Sequence, residues 1–231
     1  MKVDIGIIGA MQPEVEGLIA NLTDASCECV SGIELHTGIL EGRRVAVAKC
    51  GIGKVFAALC AEVMILKYSP SLIVNTGVGG ALAKGLSATD TVIAESLVQH
   101  DMDTSPLGDP QGLVSGINKI YFETDKRASD ILMQAAKELG ICAVRGRIAT
   151  GDKFIASKED KERIVNTFGS DACEMEGCAI AQVAYVNSTP CAVIRAISDS
   201  ADGEANMDYM TFLPIAVKNS TSLTLALVKN W

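Results

Sequence analysis

The chain is poor in aromatic residues, which make up 4% of its 231 residues, and it contains two histidines, His36 and His100. Aromatic side chains therefore fill little of the interior, and Ala, Val, Ile, Leu and 21 Gly must do most of the packing. The hydrophobic fraction of 48% is still enough for a large core and too high for a disordered chain. The length is ordinary for one α/β domain, or at most two small ones.

Positive charge is also scarce, because 20 Lys and Arg stand against 28 Asp and Glu and give a formal net charge of −8. Nucleic acids and anionic membranes attract clustered positive charge, so we expect neither as a partner. We find no apolar run of the roughly 18–20 residues that span a bilayer. The start, Met1-Lys2-Val3-Asp4, lacks the apolar region of a secretory signal, which predicts a cytoplasmic location.

The eight cysteines form no C-x-x-C pair, and two histidines add little to them, so the tight cluster of a zinc site is missing. Most of the cysteines lie in apolar segments such as VAVAKC and VFAALC. This placement predicts small buried thiols in a reduced, cytosolic protein. A disulfide framework is disfavoured without a secretion signal, and we expect no metal.

Strand and helix signals alternate along the chain. Short apolar or alternating runs predict strands at 4–10, 26–30, 33–39, 43–49, 71–77, 91–100, 141–149 and 191–197. Helical spacing predicts helices at 13–22, 54–67, 124–139, 157–167, 175–187 and 212–229. Gly77, Gly79 and Gly80 predict a turn, and Pro214 is expected in the first turn of the last helix. Without a repeat or linker, residues 1–231 are predicted to form one α/β domain with a mixed, mostly parallel sheet flanked by helices.

The helix predicted at 54–67 is apolar almost all round, so it must be buried on most sides. In a domain of this size, a subunit interface is a natural place for such a helix.

Ligands bind open α/β sheets beyond the carboxyl ends of the strands, so the residues after each strand are candidates for a site. Glu14 follows the first strand, Glu174 and Glu176 precede a helix, and Arg195 and Asp199 lie at the end of the last strand. Each has an ordinary interpretation as well. Glu14 suits a first helical turn, the glutamate pair suits a solvated helix start, and Arg195 with Asp199 suits a buried structural pair.

Two glycine turns and one aromatic residue carry weaker signals. The turn at Gly6-Ile-Ile-Gly9 lacks the spacing of a dinucleotide fingerprint, and Gly51-Ile-Gly-Lys54 lacks the remaining residues of a P-loop. Both turns would let the backbone approach a small ligand or another element closely. Phe154 is one of the few aromatic residues, and core packing is its ordinary role.

Six segments of the chain occur in a familiar order. They are GIIGAM at the start, GIGK at 51–54, NTGVGG at 75–80, GDKFI at 151–155, EMEGCAIA at 174–181 and RAISD at 195–199. Over nearly the whole chain they resemble the nucleoside phosphorylase/hydrolase superfamily, and within it the 5′-methylthioadenosine/S-adenosylhomocysteine nucleosidase family. EMEGCAIA followed by RAISD is a specific pairing, whereas the glycine turns alone are not.

The resemblance implies hydrolysis of the N-glycosidic bond of 5′-methylthioadenosine and S-adenosylhomocysteine. The products would be adenine and a 5-thio-substituted ribose, formed through an oxocarbenium-like transition state. Asp199 is expected to donate a proton to adenine N7, which requires burial and a nearby acid to raise its pKa. Glu14 is expected to deprotonate the attacking water, and Glu176 to bind the ribose hydroxyls and favour the cationic sugar.

The resemblance also implies the residues that bind the substrate. Phe154 is expected to stack on adenine, the Ile155 backbone to read its Watson–Crick edge, and Met175 to pack on the ribose. Arg195 is expected to orient Glu14, Glu176 or the water. The remaining contacts to the substrate are expected from Ser198, Met11, Ile52, Val78, Gly80 and Leu107.

In relatives, the loop after the 91–100 strand completes the 5′ pocket of the neighbouring subunit, and here that loop is about 102–113. The resemblance therefore implies a homodimer that binds a small nucleoside, with no cofactor and no metal. The sequence departs from the family pattern at Val78, where a hydroxyl residue is common, and at Leu107, where an aromatic is common. Gln12-Pro13 also replaces an acidic stretch before Glu14.

Other functions stay open at this point. A nucleosidase for aminofutalosine or 5′-deoxyadenosine would use the same acids. A phosphate-dependent purine nucleoside phosphorylase would need a basic phosphate cradle, but the first loop, Met11-Gln12-Pro13-Glu14, has no Arg. A non-catalytic nucleoside-binding protein would have no need of Glu14, Glu176 and Asp199.

Overall fold

A ten-stranded mixed sheet runs through the computed structural model, which describes residues 2–201 and 205–231. The strands are β1 (Ile5–Gly9), β2 (Thr23–Val30), β3 (Ile33–Leu40), β4 (Arg43–Lys49), β5 (Leu72–Ala81), β6 (Thr91–Gln99), β7 (Phe122–Glu123), β8 (Ala143–Thr150), β9 (Ala172–Glu174) and β10 (Cys191–Asp199). The helices are α1 (Gln12–Ala20), α2 (Lys54–Tyr68), α3 (Lys126–Leu139), α4 (Lys158–Phe168), α5 (Gly177–Val186) and α6 (Ala205–Asn230).

The sheet has an open part and a closed part. The order is β10-β6-β8-β9-β5-β1-β4-β3-β2, and β10 pairs with β5 as well as with β6. Strands β5, β10, β6, β8 and β9 therefore form a closed ring, from which β1, β4, β3 and β2 extend as an open sheet. The centre, β4-β1-β5-β10, is parallel, whereas β10 and β6 are antiparallel. The predicted α/β class with a mixed sheet flanked by helices is confirmed.

Helices cover both faces of the sheet. One apolar cluster joins the sheet to α2 and α5, and a second joins it to α1, α3 and α6. Strand β1 is buried along its whole length, because it lies between these two layers. Helix α3 begins where the Asp125 side chain accepts a hydrogen bond from the Ala128 N–H, and it ends at Gly140, whose backbone is left-handed.

Three details of the predicted elements are wrong. Strand β5 continues through Gly77, Gly79 and Gly80, where a turn was expected. The short strands β7 and β9 were not predicted, because two or three residues show no periodicity. Helix α6 begins at Ala205, so Pro214 lies inside the helix and not in its first turn.

The expectation that no segment is long and apolar enough to span a bilayer is wrong for helix α6. Its segment Met210–Asn230 is long and apolar enough to cross a membrane by length and composition. Leu223, Leu227 and Val228 of the same helix are fully buried in the cluster beside the sheet. Helix α6 contacts β10, β5, α3 and α1, so one of its faces packs against the sheet and the neighbouring helices.

Candidate active site

A cavity of about 340 Å³ opens at one edge of the sheet, which is large enough for a small ligand. Residues that end or follow six different strands form it, as the carboxyl-end rule predicts. Its lining is Ala10, Met11, Glu14, Ile52, Val78, Gly79, Gly80, Lys153, Phe154, Ile155, Cys173, Glu174, Met175, Glu176, Ser198 and Asp199. All the predicted site residues therefore line this cavity except Arg195 and Leu107.

Glu14 is held at the start of α1 by backbone donors from two elements. Its Oε2 accepts hydrogen bonds from the N–H groups of Ala10 at 2.7 Å and Met11 at 2.9 Å, and its Oε1 accepts one from Val78 at 3.1 Å. The residue is 3% exposed, so it is not an ordinary solvated helix acid. Burial raises the pKa of Glu14, while the Arg195 charge and the three N–H groups oppose that rise.

The glycines of β5 leave room for two acids. A Cβ at Gly77 would lie 2.4 Å from Oε1 of Glu14, and a Cβ at Gly80 would lie 2.8 Å from Oδ1 of Asp199. Neither glycine has a positive φ, so the close approach of a carboxylate explains them, and not a turn.

Arg195 lies beneath the cavity on β10 and is 1% exposed. Its Nη2 forms an ion pair with Glu174, donates to Asn75 Oδ1 and lies 3.8 Å from Oε2 of Glu176. Burial lowers the pKa of Arg195, but the carboxylates of Glu174, Glu176 and Glu14 outweigh it, and the pKa is raised overall. The guanidinium therefore stays charged, and its ion-pair partners are Glu174 and Glu176, not Asp199.

Glu174 is a lining residue for which the sequence predicts no role in the site. Its Oε2 accepts hydrogen bonds from the N–H groups of Glu176 at 2.9 Å and Gly177 at 2.6 Å, and its Oε1 accepts one from the Thr150 hydroxyl. The signal available in the sequence was an acid inside an apolar stretch, which is costly unless the acid is paired. Its partner, Arg195, is 21 residues away and comes close through the sheet.

Glu176 lies where α5 begins and is 6% exposed. Its Oε1 accepts a hydrogen bond from the Gly53 N–H at 2.8 Å. Burial and the neighbouring Glu174 raise the pKa of Glu176 to about 7, against the opposing effects of Arg195 and the Gly53 N–H. Its charge therefore changes near neutral pH.

Asp199 and Ser198 form one corner of the cavity at the end of β10. The Ser198 hydroxyl donates to Oδ2 of Asp199 at 2.9 Å, and the Ala201 N–H donates to Oδ1 at 2.9 Å. Both residues are buried, and the pairing of β10 with β5 shifts register between Ile197 and Asp199. This irregularity lies where the Asp199 side chain enters the cavity.

Two of the apolar residues that line the site lie at its mouth. Ile52 is 56% exposed and Phe154 is 44% exposed, whereas Ile155 is buried deeper. Leu107 is 83% exposed on a 3₁₀ turn at Ser105–Leu107 and does not line the cavity of its own chain. In the described part of the chain, no group of three or more His, Cys, Asp or Glu is placed to hold a metal ion.

Comparison with known proteins places this fold and site in a class, because the model of the Phosphorylase superfamily matches residues 4–229. The 5′-methylthioadenosine/S-adenosylhomocysteine nucleosidase of Shewanella loihica is 38% identical over 98% of this chain and 99% of its own length. The nucleosidase of the same name from Staphylococcus aureus strain MRSA252 is 39% identical over 97% of this chain and 98% of its own. The chain belongs to this superfamily and, within it, to the 5′-methylthioadenosine/S-adenosylhomocysteine nucleosidase family.

Solved structures agree with the sequence relatives. The Neisseria meningitidis nucleosidase in complex with methylthio-immucillin-A superposes with a TM-score of 0.95 at 33% identity, covering 99% of both chains. The futalosine hydrolase of Helicobacter pylori strain 26695 superposes with a TM-score of 0.94 at 36% identity, covering 99% of this chain and 98% of its own.

Proposed function

We propose that this chain, as one nucleosidase domain, hydrolyses the N-glycosidic bond of 5′-methylthioadenosine and S-adenosylhomocysteine to adenine and a 5-thio-substituted ribose. The observation that carries the proposal is the meeting of three buried carboxylates, those of Glu14, Glu176 and Asp199, in one cavity with an apolar mouth. Burying an ionised acid costs free energy unless the acid is paired or has a function, and here all three acids line the same cavity. The names of the relatives support the same reaction.

Asp199 is the proposed general acid. Protonation of adenine at N7 neutralises the leaving base, and the Ser198 hydroxyl and Ala201 N–H hold the Asp199 carboxyl in the corner where the base would lie. Phe154 at the mouth offers its ring for stacking on adenine.

Glu14 is the proposed general base. Three backbone N–H groups fix its carboxylate at the cavity wall, and burial raises its pKa towards the range of an effective base. The contact from Val78 comes from its backbone N–H, so a hydrophobic side chain at that position does not disturb it.

Glu176 is the proposed acceptor for the ribose hydroxyls. Its negative charge would also stabilise the cationic sugar of an oxocarbenium-like transition state, because preorganised charge in a buried site acts at low dielectric. Arg195 offsets part of the repulsion between Glu174 and Glu176, since it forms ion pairs with both carboxylates.

Water is favoured over phosphate as the nucleophile. Among the described residues that line the cavity, Lys153 is the basic one, and its Nζ is paired with Asp160 at 2.7 Å. A phosphate dianion beside Glu14 and Glu176 would meet negative charge without a cationic cradle.

Adenine release from 5′-methylthioadenosine, measured with and without phosphate, tests this proposal. We expect the same rate in both buffers, with free methylthioribose as the second product. A rate that requires phosphate, with a sugar phosphate as product, would contradict the role of Glu14. No release of adenine in either buffer would contradict the choice of substrate.

A second candidate substrate is aminofutalosine, favoured by the similarity to the futalosine hydrolase of Helicobacter pylori. The same acids would serve, because the cleaved bond is the same. A comparison of kcat/KM for 5′-methylthioadenosine, S-adenosylhomocysteine, aminofutalosine and 5′-deoxyadenosine separates these substrates.

We further propose that the enzyme works in the cytoplasm as a homodimer, with the 102–113 loop, including Leu107, completing the partner's 5′ pocket. All eight cysteines are free thiols, as a reducing compartment favours. Helix α2 buries one face within the chain and exposes Val55, Phe56, Leu59 and Leu66 on the other. An apolar stripe of this kind is typical of a subunit interface.

Replacing Leu59 by Glu is expected to shift the species in solution from about twice the 24.2 kDa chain mass to the single chain mass. Activity should fall with it, because the 5′ pocket would lose its second half. Mass by light scattering and kcat/KM check this prediction. Leu139→Glu is the matched control, since Leu139 is an exposed apolar residue at the end of another helix. A dimer that survives Leu59→Glu, or a wild-type monomer, would refute the proposal.

A further inference from the structure

Two carboxylates share the N-terminus of α2. The Gly53 N–H donates to Oε1 of Glu176 at 2.8 Å, and the next N–H, of Lys54, donates to Oδ1 of Asp152 at 2.8 Å. The first N–H groups of a helix have no partner inside the helix, so carboxylates from elsewhere satisfy both of these donors. Glu176 lines the cavity, and Asp152 lies outside it.

Asp152 is itself held by a third carboxylate. Oδ1 of Asp101 accepts a hydrogen bond from Lys54 Nζ at 2.6 Å, and Oδ2 of Asp101 accepts one from the Asp152 N–H at 2.9 Å. Burial raises the pKa of Asp101, but the bonds from Lys54 and the Asp152 N–H outweigh it and hold the pKa below its usual value. Lys54 Nζ also donates to Gln99 Oε1 at 3.2 Å. Asp101 therefore stays charged and accepts hydrogen bonds from both residues of the Lys54–Asp152 contact.

The loop before α2 depends on such anchors. Gly51 and Gly53 have φ angles of 93° and 100°, and Gly53 provides no side chain to cap the helix. A Cβ on Gly53 would lie 3.0 Å from Oδ1 of Asp152, so the loop and this carboxylate are closely packed. Asp152 thus caps the helix from another segment, and that segment continues directly into Lys153 and Phe154 of the cavity wall.

We propose that Asp152, secured by Asp101 and Lys54, is a positioning residue that keeps the Gly53 N–H on the Glu176 carboxylate. This inference rests on the proposed function of Glu176, and Asp152 itself contacts no substrate. Asp152 connects the segment of Phe154, which is proposed to stack on adenine, with Glu176, which is proposed to bind the ribose. The two sides of the cavity therefore keep a fixed position relative to each other.

The sign of the expected pH effect follows from the groups that face Glu176. Burial, Glu174 and Glu14 raise the pKa of Glu176, and Arg195 and the Gly53 N–H lower it. If Asp152 no longer fixes the N-terminus of α2, the Gly53 N–H moves away from Glu176. One of the contacts that lower the pKa of Glu176 is then lost. The pKa of Glu176 then rises further, and a higher pH is needed to keep its carboxylate charged.

Asp152→Ala is the test, with kcat/KM for adenine release from 5′-methylthioadenosine measured between pH 5.5 and 9. We expect kcat/KM at pH 7 to fall by about 10–100-fold, because a small misplacement in an active site has effects of this size. The acid limb of the profile should move to higher pH, and the deficit should shrink towards pH 9. Asp152→Asn keeps an acceptor oxygen for the Lys54 N–H and should restore most of the activity.

Asp130→Ala is the matched control, because Asp130 is an aspartate that accepts hydrogen bonds from Lys126 and Arg145 on the surface. It should leave the pH profile unchanged. A role of Asp152 in stability alone would lower the melting temperature without moving the acid limb, and that result would overturn the proposal. Equal losses in Asp152→Ala and Asp152→Asn would overturn it too.

A readout without turnover separates this inference from the proposed function. The titration of the Glu176 carboxyl is followed by infrared difference spectroscopy against Glu176→Gln, in the wild type and in Asp152→Ala. An upward shift of the titration supports the positioning role even if 5′-methylthioadenosine is not a substrate, whereas an unchanged titration overturns it. If Asp152→Ala does not fold, Lys54→Met, which removes the ion pair to Asp101, is expected to shift the titration in the same direction.

Discussion

Asp199→Asn is expected to lower kcat for adenine release by about 10²–10⁴-fold, which is the usual contribution of a general acid. Asparagine has nearly the same shape, and its amide oxygen can still accept the hydrogen bond from the Ala201 N–H, while its NH2 group can donate to the Ser198 hydroxyl oxygen. It has no acidic proton to give to adenine N7, so the base would have to leave as an anion. Substrate binding should change little, because the cavity keeps its size.

Single-turnover kinetics and a direct binding measurement with 5′-methylthioadenosine check this prediction. Ser198→Ala serves as the comparison, since it removes the hydroxyl beside Asp199 and leaves the acid in place. We expect Ser198→Ala to lose less activity than Asp199→Asn at every pH. Turnover by Asp199→Asn at the wild-type rate would show that the proton comes from another group.

Arg195→Met is expected to have the largest effect on stability, with a loss of about 3–5 kcal/mol in the free energy of unfolding. Arg195 is 1% exposed and lies against Glu174 and Glu176, so its removal leaves two buried acids without their counter-charge. For a chain of this length the melting temperature should fall by roughly 6–20 °C. Activity should fall as well, because the position and charge of Glu176 depend on the same guanidinium.

A double-mutant cycle with Glu174→Gln identifies the cause of that loss. The double variant should be more stable than Arg195→Met alone, because it removes one uncompensated buried charge. Arg145→Met provides the exposed control, as Arg145 pairs with Asp130 where the two side chains are 32% and 49% exposed. That pair should be worth about 0–1 kcal/mol. Equal losses for Arg195→Met and Arg145→Met would argue against a buried ionic cluster.

The main elements of the fold could be predicted from the sequence because their signals are local. The apolar run of β1 and the amphipathic pattern of α3 can each be recognised within a short stretch of the chain. Their predicted positions agree with the structure to within a few residues. Strand β9 could not be found in this way, since it has three residues and forms only by pairing with β5 and β8. The start of α6 is predicted too late in the sequence, because a proline in a helix interior is ordinarily unfavourable and Pro214 was therefore expected in the first turn.

Much of the site could also be predicted, for a reason that is partly geometric. The carboxyl ends of parallel strands meet at one edge, so the sequence alone predicts that acids such as Glu14 and Asp199 lie close together. Their individual roles came from the resemblance to a family, because an acid near a strand end can equally be a helix cap or half of an ion pair.

The sequence by itself determined where the main apolar strands and helices lie and which segments end at the cavity, since hydrophobic periodicity depends on neighbours along the chain. Only the tertiary structure decided the partners: Arg195 with Glu174, Gly77 with Glu14, and Asp152 with the end of α2. These contacts join residues that are distant in sequence and adjacent across strands or loops. A local pattern can show that a buried charge or a glycine needs a reason, but the packing of the sheet and helices selects the group that provides it.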